Sequence, residues 1–263
     1  MTAPLLELER VDAGYGPFRA LFGVSFTVHE GEAVALLGSN GAGKTTVARV
    51  ISGLVHPTSG AIRFEGRDIS RRRPFELARL GISHAPEGRS VFASLTVEEN
   101  LELAFRRTFG RRGLRGAVEQ AYILFPRLAE RRGLQAGALS GGEQRMLALA
   151  RVLVDPPKLL IVDELSLGLA PIVVNEVYGV LSRLKERGTA LLVVEQHVEH
   201  ALALAQRVVV LSTGEVSYEG PVLPIPELTP YFLPPEREPG EREPGGQLSG
   251  VTGADTSGSV GGR

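Results

Sequence analysis

The sequence predicts an α/β fold built around a phosphate-binding loop. Three observations carry that reading. The apolar run Ala33-Val34-Ala35-Leu36-Leu37 leads into Gly38-Ser39-Asn40-Gly41-Ala42-Gly43-Lys44-Thr45-Thr46, and Val47-Ala48-Arg49-Val50-Ile51 continues as a helix ending near Gly53. A second apolar run, Leu159-Leu160-Ile161-Val162, ends in Asp163-Glu164. A third, Ala190 to Val194, follows an amphipathic helix over Pro171–Arg187 that Gly188 ends. Unbroken apolar strands alternating with helices are the pattern of a parallel sheet buried on both faces.

Composition bounds the rest. A chain of 263 residues, 43% hydrophobic and 22% charged, is long enough for a sizeable core and ordinary for a globular protein. A formal net charge of −1 implies no general attraction to nucleic acid or anionic lipid. The arginine clusters Arg71-Arg72-Arg73, Arg106-Arg107, Arg111-Arg112 and Arg131-Arg132 read as solvated faces. Cysteine is absent, which excludes disulfides and thiolate metal sites and fits a reducing compartment. Met1-Thr2-Ala3-Pro4 does not open as a signal peptide, and no apolar run reaches the ~18–20 residues of a membrane span. Any membrane part is expected from another chain.

Taken in order, Leu5 to Val11 alternates as a half-buried strand, and Tyr15 and Phe18 fall in a turn marked by Gly16 and Pro17. Val24 to Val28 is a second strand, with Glu30-Gly31 as a turn before the loop strand. Pro57-Thr58-Ser59-Gly60 turns into a strand over Ala61–Phe64. From about Val91 to Val154 the pattern is helical. Thr96 with Glu99 forms a capping box, and Leu101, Leu103, Ala104 and Phe105 continue an apolar stripe that Gly110 and Gly113 break. Val118–Leu128 is a second helical stretch and Gly141–Val154 a third, stopped by Pro156-Pro157. Val198–Ala205 is a short helix, and Val208–Leu211 pairs with Val216–Glu219 across Ser212-Thr213-Gly214. After about Leu233 the segment Glu236 to Gly240 recurs as Glu241 to Gly245 before a Gly/Ser/Thr-rich end. That composition predicts a folded domain over 1–233 and a disordered tail over 234–263.

The chemistry sits at the strand ends. Glycines in Gly38–Thr46 let backbone N–H groups turn inward, and the following helix adds the positive end of its dipole. Lys44 supplies a full charge for β- and γ-phosphates, and the Thr45 hydroxyl suits Mg²⁺. Asp163, projecting from a buried strand's carboxyl end, suits Mg²⁺ directly or through water. Glu164 is placed to orient and deprotonate an attacking water. The same two carboxylates could simply cap the next helix. Leu139-Ser140-Gly141-Gly142-Glu143-Gln144-Arg145 is a second helix start able to receive an anion, or else a plain cap. Two anion sites with one acidic pair suggest two copies facing each other, each closing the other's nucleotide.

The loop Gly38–Thr46, the segment Leu139–Arg145 and the Asp163-Glu164 strand, in this order, resemble the ABC ATPases, over about Leu5 to Leu233. The resemblance implies a P-loop NTPase with a RecA-like core, an antiparallel β-subdomain and a helical signature subdomain at about 91–154. It implies ATP and Mg²⁺ as cofactors and head-to-tail dimerisation around two ATP molecules. It implies that Gly38, Ser39, Asn40, Gly41, Ala42, Gly43, Lys44, Thr45 and Thr46 bind ATP, and that Leu139, Ser140, Gly141, Gly142 and Glu143 face the ATP of a partner subunit. Tyr15 looks like the aromatic platform for adenine.

Three positions depart from the general family pattern. Glu87 stands where most members carry a glutamine that senses Mg²⁺ and water; its carboxylate can still ligate the metal. Gln196 stands at the usual switch histidine, with His197 one step later, and Gln196 is preferred as the γ-phosphate sensor because its amide can donate. Leu165 replaces the proline after the catalytic glutamate and is expected to loosen the turn. Ala85 to Phe92, Leu124 to Leu128, Ser166 to Pro171 and Val194-Glu195-Gln196 are similar to the second ATP-binding subunit (LivF type) of branched-chain amino-acid importers. The expectation is therefore an ATPase at the cytoplasmic face of the membrane. Its partners would be a paralogous ATPase subunit or a second copy, two membrane permease subunits and, indirectly, an extracytoplasmic solute-binding protein. Urea or short-amide import is the alternative cargo. A DNA-repair ABC protein fits poorly, since Lys44 to Asp163 leaves no room for a long coiled coil, and a ribosome-acting one usually carries two ATPase cassettes where this sequence shows one. A regulatory subunit with degenerate hydrolysis is the third reading, motivated by Glu87, Gln196 and Leu165.

Overall fold

The computed structural model describes residues 3–85, 91–166, 168–196 and 198–233. The chain opens with two long strands, β1 (Leu6–Tyr15) and β2 (Phe18–Val28), joined by a tight turn. Then come β3 (Ala33–Gly38), the phosphate loop and α1 (Lys44–Ile51). β4 (Ser59–Phe64), β5 (Arg67–Asp68), α2 (Pro74–Leu80) and β6 (Ile82–Ala85) follow. The helical middle is α3 (Val97–Leu124), α4 (Pro126–Glu130) and α5 (Gly141–Leu153). The last third alternates β7 (Leu159–Asp163), α6 (Pro171–Glu186), β8 (Ala190–Val194) and α7 (Val198–Leu204). It closes with β9 (Arg207–Ser212), β10 (Glu215–Pro221) and the short α8 (Ile225–Leu228).

Two sheets result. β2-β1-β4-β5 is antiparallel, and β10-β9-β3-β8-β7-β6 is parallel apart from the β9–β10 hairpin. β3, β7 and β8 are buried at every position, as their unbroken apolar runs require. Side chains on alternate positions go to different layers. Ala33, Ala35, Leu37, Leu160, Val162, Leu191 and Val193 face a core shared with α3, α5 and α6. Val34, Leu36, Leu159, Ile161, Leu192 and Val194 face a second core made with α1 and the antiparallel sheet. Each such Leu or Val taken out of water contributes roughly 1.5–3 kcal/mol before entropy is counted. The parallel sheet is thus the slab to which both other layers are attached.

The structure corrects several sequence expectations. Tyr15 and Phe18 are paired strand ends rather than turn residues. Gly113 does not break α3, whereas Gly110 does, with φ 59° and ψ −173°. The helix expected over Val118–Leu128 ends at Leu124. Phe125 takes φ −132° and ψ 79° because a residue before proline is pushed out of the helical region, and Pro126 starts a new helix. α2 and β6 were not anticipated, although Pro74 at a helix start and Gly81 in a left-handed cap (φ 96°) are their sequence marks.

The start of α3 is fixed by two devices. Thr96 Oγ1 accepts from the Glu99 amide at 3.1 Å, and the Thr96 amide donates back to Glu99 Oε2 at 2.7 Å, the capping box read from sequence. Asn100, fully buried, accepts from the Phe92 amide at 2.9 Å and donates to the carbonyls of Phe92, Leu95 and Thr96 at 3.0, 3.3 and 2.9 Å. One amide side chain therefore holds residues 92–96 against the helix. Asn100→Ala should destabilise the fold by about 2–3 kcal/mol, since it strands a buried amide and weakens three carbonyl contacts. Asn100→Asp should cost at least as much, because it aims an acceptor at carbonyls. A fall in the urea midpoint at unchanged slope checks both.

Candidate functional site

The register of the parallel sheet brings the chemistry together. Val194 lies level with Leu36 on one side and Asp163 on the other, so β3, β8 and β7 end at one edge. The phosphate loop leaves β3 there, Glu164 leaves β7, and Glu195 and Gln196 leave β8. Ligands of open α/β sheets bind outside such carboxyl ends.

A cavity of about 360 Å³ opens at this edge, lined by Ala20, Asn40, Gly41, Gly43, Lys44, Thr45, Thr46 and Glu164. Helix α1 begins at Gly43 with no side chain capping it, so its first amides are open to an anion. Gly43 is required twice over. Its φ is 102°, and a Cβ there would meet Leu21 Cδ2 at 2.8 Å and the Ala20 carbonyl at 3.0 Å. Gly38 has no room either, since a Cβ would sit 2.5 Å from the Leu211 carbonyl. The loop is also braced from the β9–β10 turn: the Gly214 amide donates to the Ala42 carbonyl at 3.0 Å, and Phe22 donates to Gly214 at 2.9 Å.

Lys44 is 4% exposed. Its ammonium donates to the carbonyls of Gly38 at 2.9 Å and Ser39 at 3.1 Å and lies 3.9 Å from Glu164 Oε1. Burial lowers its pKa, while the charges of Glu164, Asp163 and Glu195 act in the other direction. Thr45 Oγ1 is 3.5 Å from Asp163 Oδ1, and Asp163 is 1% exposed. Two hard oxygen donors side by side are of the chemical type that a small divalent cation prefers. Among the described residues no group of three or more His, Asp or Glu gathers as a metal cage.

Glu164 has φ 47°, a left-handed conformation that a non-glycine residue holds at a cost. Its amide donates to the Val194 carbonyl at 2.8 Å, and its carbonyl accepts from Arg145 Nη1 at 3.0 Å. Leu165 is 3% exposed and packs in the core.

The remaining candidates are placed elsewhere. Leu139 to Glu143 contribute nothing to the lining of the phosphate-loop cavity. Leu139 is buried and Ser140 and Gly141 are exposed. Ser140 forms a capping box with Glu143 at 2.9 and 3.3 Å, and the Ser140 amide and hydroxyl, donating to the Glu143 carboxylate at 2.9 and 2.8 Å, hold that carboxyl below its usual range. Tyr15 is 43% exposed at the end of β1 and accepts from Arg49 of α1 at 3.1 Å. Gln196 lines a separate cavity of about 520 Å³ with Ser166, Leu169 and His200. Glu87 and His197 lie outside the described residues, as does the 234–263 segment. Sequence reasoning gives no site role to Ala20, Gly214 or Arg145, because their contacts with the loop and with Glu164 are tertiary.

Residues 21–166 match the ABC transporter family profile, more than half of the chain. A branched-chain amino acid transport ATP-binding protein, BraG of Pseudomonas aeruginosa, is 42% identical over 81% of this chain and 91% of its own length. The chain belongs to the ABC transporter family. It is an ATP-binding subunit of that family and an ATPase. A probable LivF protein of Archaeoglobus fulgidus is 33% identical over 82% of the chain and 92% of its own length. Among solved structures, the ADP conformation of an ATP-binding cassette of an ABC transporter superposes with a TM-score of 0.74 at 28% identity, covering 88% of this chain and 99% of that one. The α/β architecture of this ABC subunit is therefore that of a known cassette.

Behind the cavity of the ABC subunit lies His84 on β6. Its Nδ1 is 2.9 Å from Ser52 Oγ, and its Nε2, buried without a hydrogen-bond partner, is 4.0 Å from Asp163 Oδ2. Burial, helped by the charge of Arg49, pushes its pKa down from the usual 6.5 to about 4. The unfolded chain thus takes up a proton below pH 6.5 that the folded chain refuses. Stability should be full above pH 6.5 and fall by about 3 kcal/mol as the pH drops to about 4. Replacing His84 with Gln should flatten that limb; unfolding curves at stepped pH measure it.

Proposed function

We propose that this chain hydrolyses ATP to power an importer of branched-chain or other hydrophobic amino acids. One observation carries the catalytic part: Lys44, the Thr45–Asp163 pair and Glu164 share one cavity edge, while Leu139–Glu143 stay off it. That division supports a composite site. Gly38 to Thr46 of one subunit hold the phosphates, and Ser140 to Glu143 of a facing subunit close over them. Lys44 neutralises phosphate charge. Thr45 and Asp163 would hold Mg²⁺, which supplies further charge neutralisation on the phosphates when bound. Glu164 orients and deprotonates the attacking water. Gln196, two residues beyond the strand end, donates to the γ-phosphate, with His197 as the alternative donor. Tyr15 stacks on adenine, and Glu87 completes the surroundings of the metal.

The cargo reading rests on the 42% identity to a branched-chain amino acid transport protein. Urea or a short amide is the second reading. No helix among the described residues is long and apolar enough to cross a membrane. The subunit would therefore sit at the cytoplasmic face through two permease subunits, dimerised with a paralogous ATPase or a second copy, and fed by a solute-binding protein outside.

A deletion strain should lose uptake of labelled leucine. Wild type should restore it, and Glu164→Gln should not, with ATPase activity of the reconstituted transporter down by about 10²-fold or more. Intact leucine uptake together with lost urea or acetamide uptake would reassign the cargo. Equal hydrolysis by both forms would remove the role of Glu164.

A further inference from the structure

We propose that Glu195 is a positioning residue for hydrolysis, whose buried carboxylate fixes the turn carrying Glu164 to the strand end carrying Gln196. The inference rests on the reading of Glu164 as the group that activates water.

Glu195 is 1% exposed, and among the described residues no Lys or Arg pairs with it within ion-pair distance. It is instead satisfied by three converging donors. Ser166 donates twice, from its amide at 3.1 Å to Oε1 and from its hydroxyl at 2.8 Å to Oε2. Tyr178 of α6 donates its hydroxyl to Oε1 at 3.1 Å. Burial and the neighbouring Glu195 charge push the Tyr178 hydroxyl above its ordinary pKa, so it stays a donor. Hydrogen bonds to an ionised acceptor are the strong ones. A carboxylate accepts at both oxygens, whereas an amide would turn an NH₂ group toward one of these donors.

The topology gives this cluster its meaning. Glu195 directly follows Val194, whose carbonyl takes the Glu164 amide, and the Glu195 amide donates to Leu36 of β3 at 3.3 Å. The Glu164–Ser166 turn is therefore fastened to residues 194–195 at both ends, once through backbone and once through the carboxylate. Glu164 sits in that turn with its left-handed φ of 47°. A strained backbone persists only where its surroundings over-determine it. Removing the Ser166 anchor leaves Glu164 free to relax and swing its carboxylate. Lys44 loses one of the three carboxylate charges acting on it but keeps its bonds to the Gly38 and Ser39 carbonyls, and the loop amides are unchanged, so ATP binding should be largely retained.

The test compares wild type, Glu195→Gln, Tyr178→Phe, Glu164→Gln and the Glu195→Gln/Glu164→Gln double variant in the reconstituted transporter. Glu195→Gln should lower kcat about tenfold or more, with KM for ATP and affinity for a fluorescent ATP analogue within about twofold. Tyr178→Phe should do the same on a smaller scale, about two- to fivefold. In the Glu164→Gln background, measured by single turnover, Glu195→Gln should change the residual rate by less than about twofold, because its effect runs through Glu164. A merely structural Glu195 would lower the rate by the same factor in both backgrounds, and that result overturns the proposal. So does a wild-type kcat in Glu195→Gln. If Glu195→Gln fails to fold, Tyr178→Phe decides: reduced kcat at retained affinity supports the proposal, and wild-type kcat overturns it. Wild-type turnover in Glu164→Gln would instead bring down the reading of Glu164 itself, a distinct outcome.

Discussion

Everything at the candidate site depends on the register of three parallel strands. Leu36, Val194 and Asp163 stand in one row across β3, β8 and β7. A slip of one residue in β7 would turn Asp163 away and send its apolar neighbours to the wrong layers. The register is therefore held by burial on both faces, with no freedom to trade site geometry against packing. The two cores are separate layers, yet both hang from this slab. Movement in either layer must be transmitted through strands that are fully buried and close-packed, which favours discrete rearrangement over gradual bending.

The sequence was most readable where one physical requirement dominates. β3, β7 and β8 could be located because a strand covered on both faces must be apolar throughout. The glycine spacing before Lys44 was readable because only glycine permits that backbone path, and the clash distances at Gly38 and Gly43 explain it. The Thr96 and Ser140 boxes were readable because a cap is local. The unreadable parts are those decided at long range. β6 is four residues with mixed polarity, and only its neighbour β7 makes it a strand. Phe125 shows a local effect instead: Pro126 near the end of the Val118–Leu128 stretch moves the helix boundary back to Leu124. Ser166, Tyr178 and Glu195 meet across separate elements, so no spacing could have joined them.

Ser140 carries two obligations at once. Its hydroxyl and amide are engaged with Glu143, which satisfies the start of α5 inside a single subunit. The neighbouring Gly141 is exposed, and a Cβ there would touch nothing within 4 Å. Nothing among the described residues demands glycine at that position. The fold thus builds a capped helix start with an exposed glycine at its first position.

The two carbonyl bonds made by Lys44 have a bearing on selectivity. An ammonium that would otherwise be hydrated is held almost dry by Gly38 and Ser39. The cost of stripping its water is met once, during folding, and is not charged again to each incoming ligand. What approaches must outbid two neutral carbonyl dipoles, and only a group bearing formal negative charge does so readily. Nucleosides and other uncharged mimics gain nothing from such an exchange. An ammonium held in this way would favour polyanions before any question of base or sugar recognition arises.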